Sequence, residues 1–81
     1  MSRIEIENKI NKFLLEDIEL EEELLKPEAT LKDDLKIDSL DYVDIAVMIE
    51  NTFGFKIKPE DMKEVITLDD FYKFIENKLG Q

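Results

Sequence analysis

Leu35-Lys36-Ile37-Asp38-Ser39-Leu40-Asp41-Tyr42-Val43-Asp44-Ile45-Ala46-Val47 is the stretch on which the fold turns. One of only two serines in the chain, the other being Ser2, stands here between two aspartates at the start of an amphipathic segment. Asp38 is a good N-cap, and Asp41, three residues on, is its capping-box partner. Acidic side chains there accept from the free amides of a first turn and complement the helix dipole. A helix is therefore predicted from Asp38 or Ser39 to near Phe53, with Gly54 as its stop.

At about 100° per residue this helix has two unequal faces. Tyr42, Ile45, Ala46, Met48, Ile49 and Phe53 gather on one side, a stripe wide enough to face a core. Ser39, Leu40, Val43, Asp44, Val47, Glu50 and Asn51 occupy the other. Leu40, Val43 and Val47, at i, i+3, i+7, form a second apolar seam fringed by carboxylates. Either that seam lies under a loop, or it is a docking face on which the acidic rim steers basic partners.

Outward from this helix, Ser2-Arg3-Ile4-Glu5 reads as another capping box, opening a helix from about Arg3 to Leu15. Its apolar face is Ile6, Ile10, Phe13 and Leu14. Between Glu16 and Lys36 the periodicity weakens, and like charges repel. A long loop is expected there, with at most a helical turn before Pro27, pinned by Ile18, Leu20, Leu24, Leu31 and Leu35. After Phe55-Lys56-Ile57-Lys58, Pro59 suits the first position of a short helix with Glu60 and Asp61 in its first turn. Thr67 and Asp70 then start a last helix with the stripe Leu68, Phe71, Tyr72, Ile75 and Leu79, ending at Gly80. The alternation at residues 53–58 lacks a partner strand, so an all-α bundle is expected, one domain over residues 1–81.

Composition narrows the chemistry. The formal net charge of −10 argues against nucleic acid and anionic membrane surfaces and favours basic patches on protein partners. The chain has no cysteine and no histidine, so it lacks a thiolate nucleophile, a thiol–zinc site and the commonest general base. No metal site is expected; Asp33-Asp34 reads as solvated charge and Asp69-Asp70 as a helix start. With neither a membrane-spanning apolar run nor a signal-peptide pattern, a cytoplasmic monomer is expected. A Ser-His-Asp arrangement around Ser39 is impossible, so the serine is expected to receive chemistry from another protein rather than perform it. At the first helical position, free amides and the positive end of the dipole offer Ser39 a place for a phosphate, though Asp38 and Asp41 oppose one and favour a solvent-pointing arm.

These residues resemble the acyl carrier proteins. The likeness centres on Asp38-Ser39-Leu40-Asp41 and the following Val43-Asp44-Ile45-Ala46-Val47-Met48-Ile49-Glu50, and extends to Ile57-Lys58-Pro59 and Ile66-Thr67-Leu68. The resemblance implies a four-helix bundle with a long first loop and a short third helix. It implies that Ser39 carries a 4′-phosphopantetheine arm, taken from coenzyme A by a separate magnesium-dependent phosphopantetheinyl transferase. The arm's thiol would hold acyl intermediates and present them to partner enzymes of fatty-acid, lipid or polyketide-type biosynthesis. By the same resemblance Asp38, Leu40, Asp41, Val43, Asp44, Val47 and Glu50 form the partner-docking helix, and Ala46, Ile49, Ile66 and Phe71 are acyl-pocket candidates. Departures stand at Lys36, where many members have glycine, at Lys56 and Lys58, where acidic or neutral residues are common, and at Asn51 and Thr52, which occupy places that are often acidic. They suggest a carrier specialised for one pathway. The alternatives are a cofactor-free acidic interaction module and a peptidyl or aminoacyl carrier.

Overall fold

The structure is a computed structural model that describes residues 1–80. Three α-helices are present: α1 (Arg3–Glu16), α2 (Ser39–Phe53) and α3 (Leu68–Leu79). Each begins with a reciprocal capping box. Ser2 Oγ accepts from the Glu5 amide at 3.3 Å, and Thr67 Oγ1 accepts from that of Asp70 at 3.1 Å. Asp38 Oδ1 takes two amides, those of Leu40 and Asp41, at 2.9 and 3.1 Å. The return bonds run from the Asp38 amide to Asp41 and from the Thr67 amide to Asp70, both at 3.1 Å. A cap of this kind contributes about 1 kcal/mol, so three of them settle where the helices start. Gly54 ends α2 at φ 85°, a left-handed position that glycine alone adopts without strain, and its amide donates to the Glu50 carbonyl at 3.0 Å.

The segment expected as a short helix, Pro59–Glu64, is a 3₁₀ helix. It opens with the Lys58 amide donating to Asp61 Oδ2 at 2.9 Å. Six residues are too few to recover the cost of nucleating an α-helix, and the tighter turn presses Met62 and, just beyond it, Val65 into the core. The α-helices among the described residues therefore number three, not four.

The long loop lies where expected, with one 3₁₀ turn at Glu22–Leu24 before Pro27. Its anchoring differs from expectation. Leu31 and Leu35 are buried and Ile18 and Leu20 partly so, but Leu24 is exposed; Leu25, Ala29 and Ile37 contribute instead. The backbone explains the shift. The Leu31 amide donates to the Ile66 carbonyl and the Leu68 amide to the Ala29 carbonyl, each at 2.9 Å, pairing Thr30 with Thr67 in an antiparallel bridge. The Asp69 amide donates to the Pro27 carbonyl at 2.9 Å, so the loop satisfies an amide that the start of α3 leaves free. Asp34 is not merely solvated: its Oδ2 accepts from the Thr30 amide at 2.8 Å and closes the turn beside that bridge.

The core is one apolar cluster. Ile6, Ile10 and Leu14 of α1 meet Ile45 and Ile49 of α2 and Leu68, Phe71, Tyr72 and Ile75 of α3. No polar residue is buried among the described residues. At the open end of the α1–α3 pair Arg3 acts as a clamp. It bonds Asp69, lies over the Tyr72 ring with its guanidinium 5.2 Å from the centroid, and has Nε 2.8 Å from Glu7, an ion-pair distance without hydrogen-bond geometry. Burial pushes the Tyr72 hydroxyl up to about 12, so it stays protonated and donates to Asn11 Oδ1.

Candidate functional site

Ser39 is the first residue of α2, exposed, with no hydrogen-bond partner for its hydroxyl among the described residues. The other serine is already engaged: Ser2 Oγ accepts from the Glu5 amide and donates to Glu5 Oε1 at 3.2 Å. The Leu40 and Asp41 amides are spent on the Asp38 carboxylate. The Tyr42 amide is bonded to the Asp38 carbonyl at 3.2 Å. The helix end beside the exposed Ser39 is thus capped by Asp38.

The loop approaching Ser39 is bent by Lys36, which adopts a left-handed φ of 55°. A side chain costs energy in that region. The sequence marks Lys36 only as a departure from a frequent glycine, and the left-handed backbone supplies the reason glycine suits the position. Ile37 then turns inward into the core while Lys36 and Asp38 stay exposed.

Beyond Ser39 the two seams of α2 separate. Ile45 and Ile49 are fully buried, and Tyr42, Ala46, Met48 and Phe53 are partly buried. On the opposite side Leu40 is 77% exposed, Val43 62% and Val47 54%, and Asp44 and Glu50 are exposed beside them. The long loop does not cover this second seam. Ile66, 56% exposed, extends the apolar surface across to the approach to α3. Of the two acids before Tyr42, both are occupied in the cap, so Asp44 and Glu50 are the uncommitted carboxylates of the face.

Ser39 also stands on the edge of a cleft of about 830 Å³. One wall is α2, through Ser39, Tyr42, Val43, Ala46 and Val47; the others are residues 30–33 of the loop and residues from Ile57 to Ile66. Ala46 and Ile66, expected at an acyl pocket, line it. Ile49 and Phe71, expected there too, are not among the cleft's lining residues and lie in the closed core, 0% and 1% exposed. Sequence reasoning missed the wall contributed by Ile57, Met62 and Val65 and the lysines Lys32, Lys58 and Lys63 among them. The spacing of Tyr42 and Ala46, at the boundary between the two seams of α2, was the available signal for one wall. Nothing local announces the other.

Ser39 thus combines an exposed position at the start of α2 with a cleft beside it. No group of three or more acidic side chains that could hold a metal ion occurs among the described residues, nor is any helix there long and apolar enough to cross a membrane.

Comparison with known proteins bears on the same residues. A family model described as a phosphopantetheine attachment site matches residues 8–75. The acyl carrier protein of Thermotoga maritima is 39% identical over 79 residues, covering 98% of both chains. That of Coprothermobacter proteolyticus is 35% identical over 79 residues, 98% of this chain and 96% of its own. The acyl carrier protein of Nitratidesulfovibrio vulgaris is 33% identical over 73 residues, covering 90% and 96%.

Proposed function

We propose that Ser39 bears the phosphopantetheine arm of this chain, which belongs to the acyl carrier protein family. Members of the family are carriers rather than catalysts, used by separate biosynthetic enzymes and modified by a phosphopantetheinyl transferase. The cofactor is therefore phosphopantetheine, and a cofactor-free interaction module is set aside. The observation that carries the assignment of the residue is simple. Ser39 is the one serine inside residues 8–75, and its hydroxyl is exposed and unpartnered, whereas Ser2 lies outside that span and is tied into a cap.

When bound, the arm supplies a terminal thiol on which acyl groups are held as thioesters, chemistry that a cysteine-free chain cannot supply itself. The chain's own residues tether and present. Asp38 and Asp41 lock the first turn of α2, so the attachment point is rigid. Leu40, Val43 and Val47 offer apolar contact area to partner enzymes, and Asp44 and Glu50 steer basic docking patches toward it. Ala46 and Ile66, on the cleft wall beside Ser39, shelter the acyl chain, with Ile49 and Phe71 as the packed layer behind. We count the 3₁₀ helix Pro59–Glu64 as the short third member of a four-helix carrier bundle, and residues 1–81 as a single carrier domain. It works as a cytoplasmic monomer in fatty-acid or related lipid or polyketide-type synthesis. Coverage of nearly the whole length of each relative supports the single domain.

Intact mass after incubation with coenzyme A, magnesium and a broad-specificity phosphopantetheinyl transferase tests the site. The wild type and Ser2→Ala should gain one arm, and Ser39→Ala none. A gain retained by Ser39→Ala, or absent from the wild type, overturns the assignment.

A further inference from the structure

The chain carries 21 acidic and 11 basic residues, so free cations are scarce on its surface. Arg3 and Lys73 are paired with carboxylates, and Lys78 lies over the Phe74 ring. Three other lysines gather at one place. Lys32, Lys58 and Lys63 line the cleft that Ser39 borders, with Asp33 as its one lining residue of opposite charge. All three are exposed, and none is in an ion pair with a carboxylate within 4 Å among the described residues. The 3₁₀ helix sorts its charges to produce this edge. Lys63 lines the cleft, whereas Glu60, Asp61 and Glu64 border a separate depression against Asp70 and Lys73 of α3. At Ser39 itself the opposite holds. The Leu40, Asp41 and Tyr42 amides are already bonded, and the carboxylates of Asp38 and Asp41 flank the serine. Those amides are no longer free to hold an anion there.

We infer that Lys32, Lys58 and Lys63 are positioning residues for the phosphodiester that joins the arm to the protein. The inference rests on the reading of Ser39 as the arm-bearing residue. A phosphodiester keeps one negative charge at neutral pH. Asp38 and Asp41 repel that charge, and the lysine edge of the same cleft attracts it. Attachment to Ser39 favours the encounter further, because a short tether holds the anion at a local concentration on the order of millimolar. Lys58 and Lys63 carry the larger share, since Asp33 offsets its neighbour Lys32. Their pull sets the direction in which the arm leaves the helix, across the cleft mouth toward Ile57 and Ile66. Leu40, Asp44 and Glu50, which do not line the cleft, stay clear for partner enzymes.

Phosphorus NMR of the holo-protein reads the phosphodiester directly, as one resonance. At low salt its position in the wild type should differ from that in Lys32→Gln/Lys58→Gln/Lys63→Gln. Added sodium chloride should move the wild-type resonance toward that of the variant and leave the variant nearly still. Lys32→Arg/Lys58→Arg/Lys63→Arg, which keeps the charge, should keep the salt response. Lys9→Gln/Lys12→Gln/Lys26→Gln removes as much charge away from the cleft and should behave as the wild type. Coincident resonances in the wild type and the cleft variant overturn the inference, and so does an equal displacement in the Lys9, Lys12 and Lys26 variant. Single Lys58→Gln and Lys63→Gln proteins carry the same test where the triple variant melts early. Inorganic phosphate added to the apo-protein separates a tethered anion from a free one. Saturation of the Lys58 and Lys63 Cε shifts below about 1 mM phosphate assigns the edge to a free anion and overturns the inference. Cε shifts that move on arm attachment but not in that phosphate range support it. Failure of the arm assignment is separate, because it appears beforehand as a missing mass gain.

Discussion

Lys36 and Gly54 both stand at positive φ, 55° and 85°, on either side of the helix that presents Ser39. They meet the same steric demand with different residues. At Gly54 an added Cβ finds nothing within 4 Å, so Gly54→Ala carries only the conformational penalty, about 1 kcal/mol of lost stability. Lys36→Gly should act in the opposite direction and gain up to about 1 kcal/mol, the relief of left-handed strain less the entropy that glycine loses on folding. Urea midpoints of the two variants check both signs, and a silent Gly54→Ala removes the left-handed cap from the account of α2. The left-handed turn at Lys36 was not legible beforehand, since a lysine gives no sign that its backbone is unusual. The role of Gly54 was legible, because glycine after an amphipathic run has few other uses.

At the scale of elements, the start of α3 depends on two carboxylates. Asp69 is held below the ordinary aspartate range by hydrogen bonds from Lys73, 3.0 Å away, and from Arg3. Asp70 is lowered chiefly by its bond from the Thr67 amide. An acid whose folded value lies below its unfolded one, near 4, stabilises fully above that unfolded value; the contribution fades as pH falls through the lower folded value. Acidification below about pH 4 should therefore loosen the first turn of α3 and its seam with α1, and amide exchange in that turn should accelerate. Asp69→Asn/Asp70→Asn should flatten this dependence; an unchanged pH profile in that variant would discount both bonds. The helices themselves were readable to within a residue, because capping boxes and apolar spacing act over three or four positions. The 3₁₀ form of Pro59–Glu64 was not, since its start signals suit either helix type and only its shortness and packing decide.

For the molecule as a whole, α2 divides the work between its two faces. Ile49 is fully buried in the cluster shared by all three helices, and Ile49→Ala should cost about 2–5 kcal/mol in a denaturation experiment. Asp44→Lys/Glu50→Lys, on the exposed face, should leave stability within about 0.5 kcal/mol yet slow association with the phosphopantetheinyl transferase, most at low salt. Stopped-flow rates across a salt series check this, and equal rates for wild type and variant would remove the acidic rim from docking. The division of labour follows from position. One seam of α2 is buried in the common core, while the long loop, held to the start of α3 by the Thr30–Thr67 bridge, leaves the other uncovered.

The chain order alone determined the helix limits, the inward stripes and the singling out of Ser39. Each depends on neighbours within one or two turns and on residue types whose chemistry is fixed, including the cysteine and histidine that are missing. Tertiary structure alone decided that the second seam of α2 stays open, that Ile49 and Phe71 lie behind the cleft rather than in it, and that Lys32 meets Lys58 and Lys63 across one opening. These are meetings between residues on separate elements, well beyond the reach of one or two helical turns. They exist only once backbone bonds from residues 27–31 to residues 66–69 have closed the loop against α3. No local pattern encodes such a closure, because its free energy is shared by the whole core that forms around it.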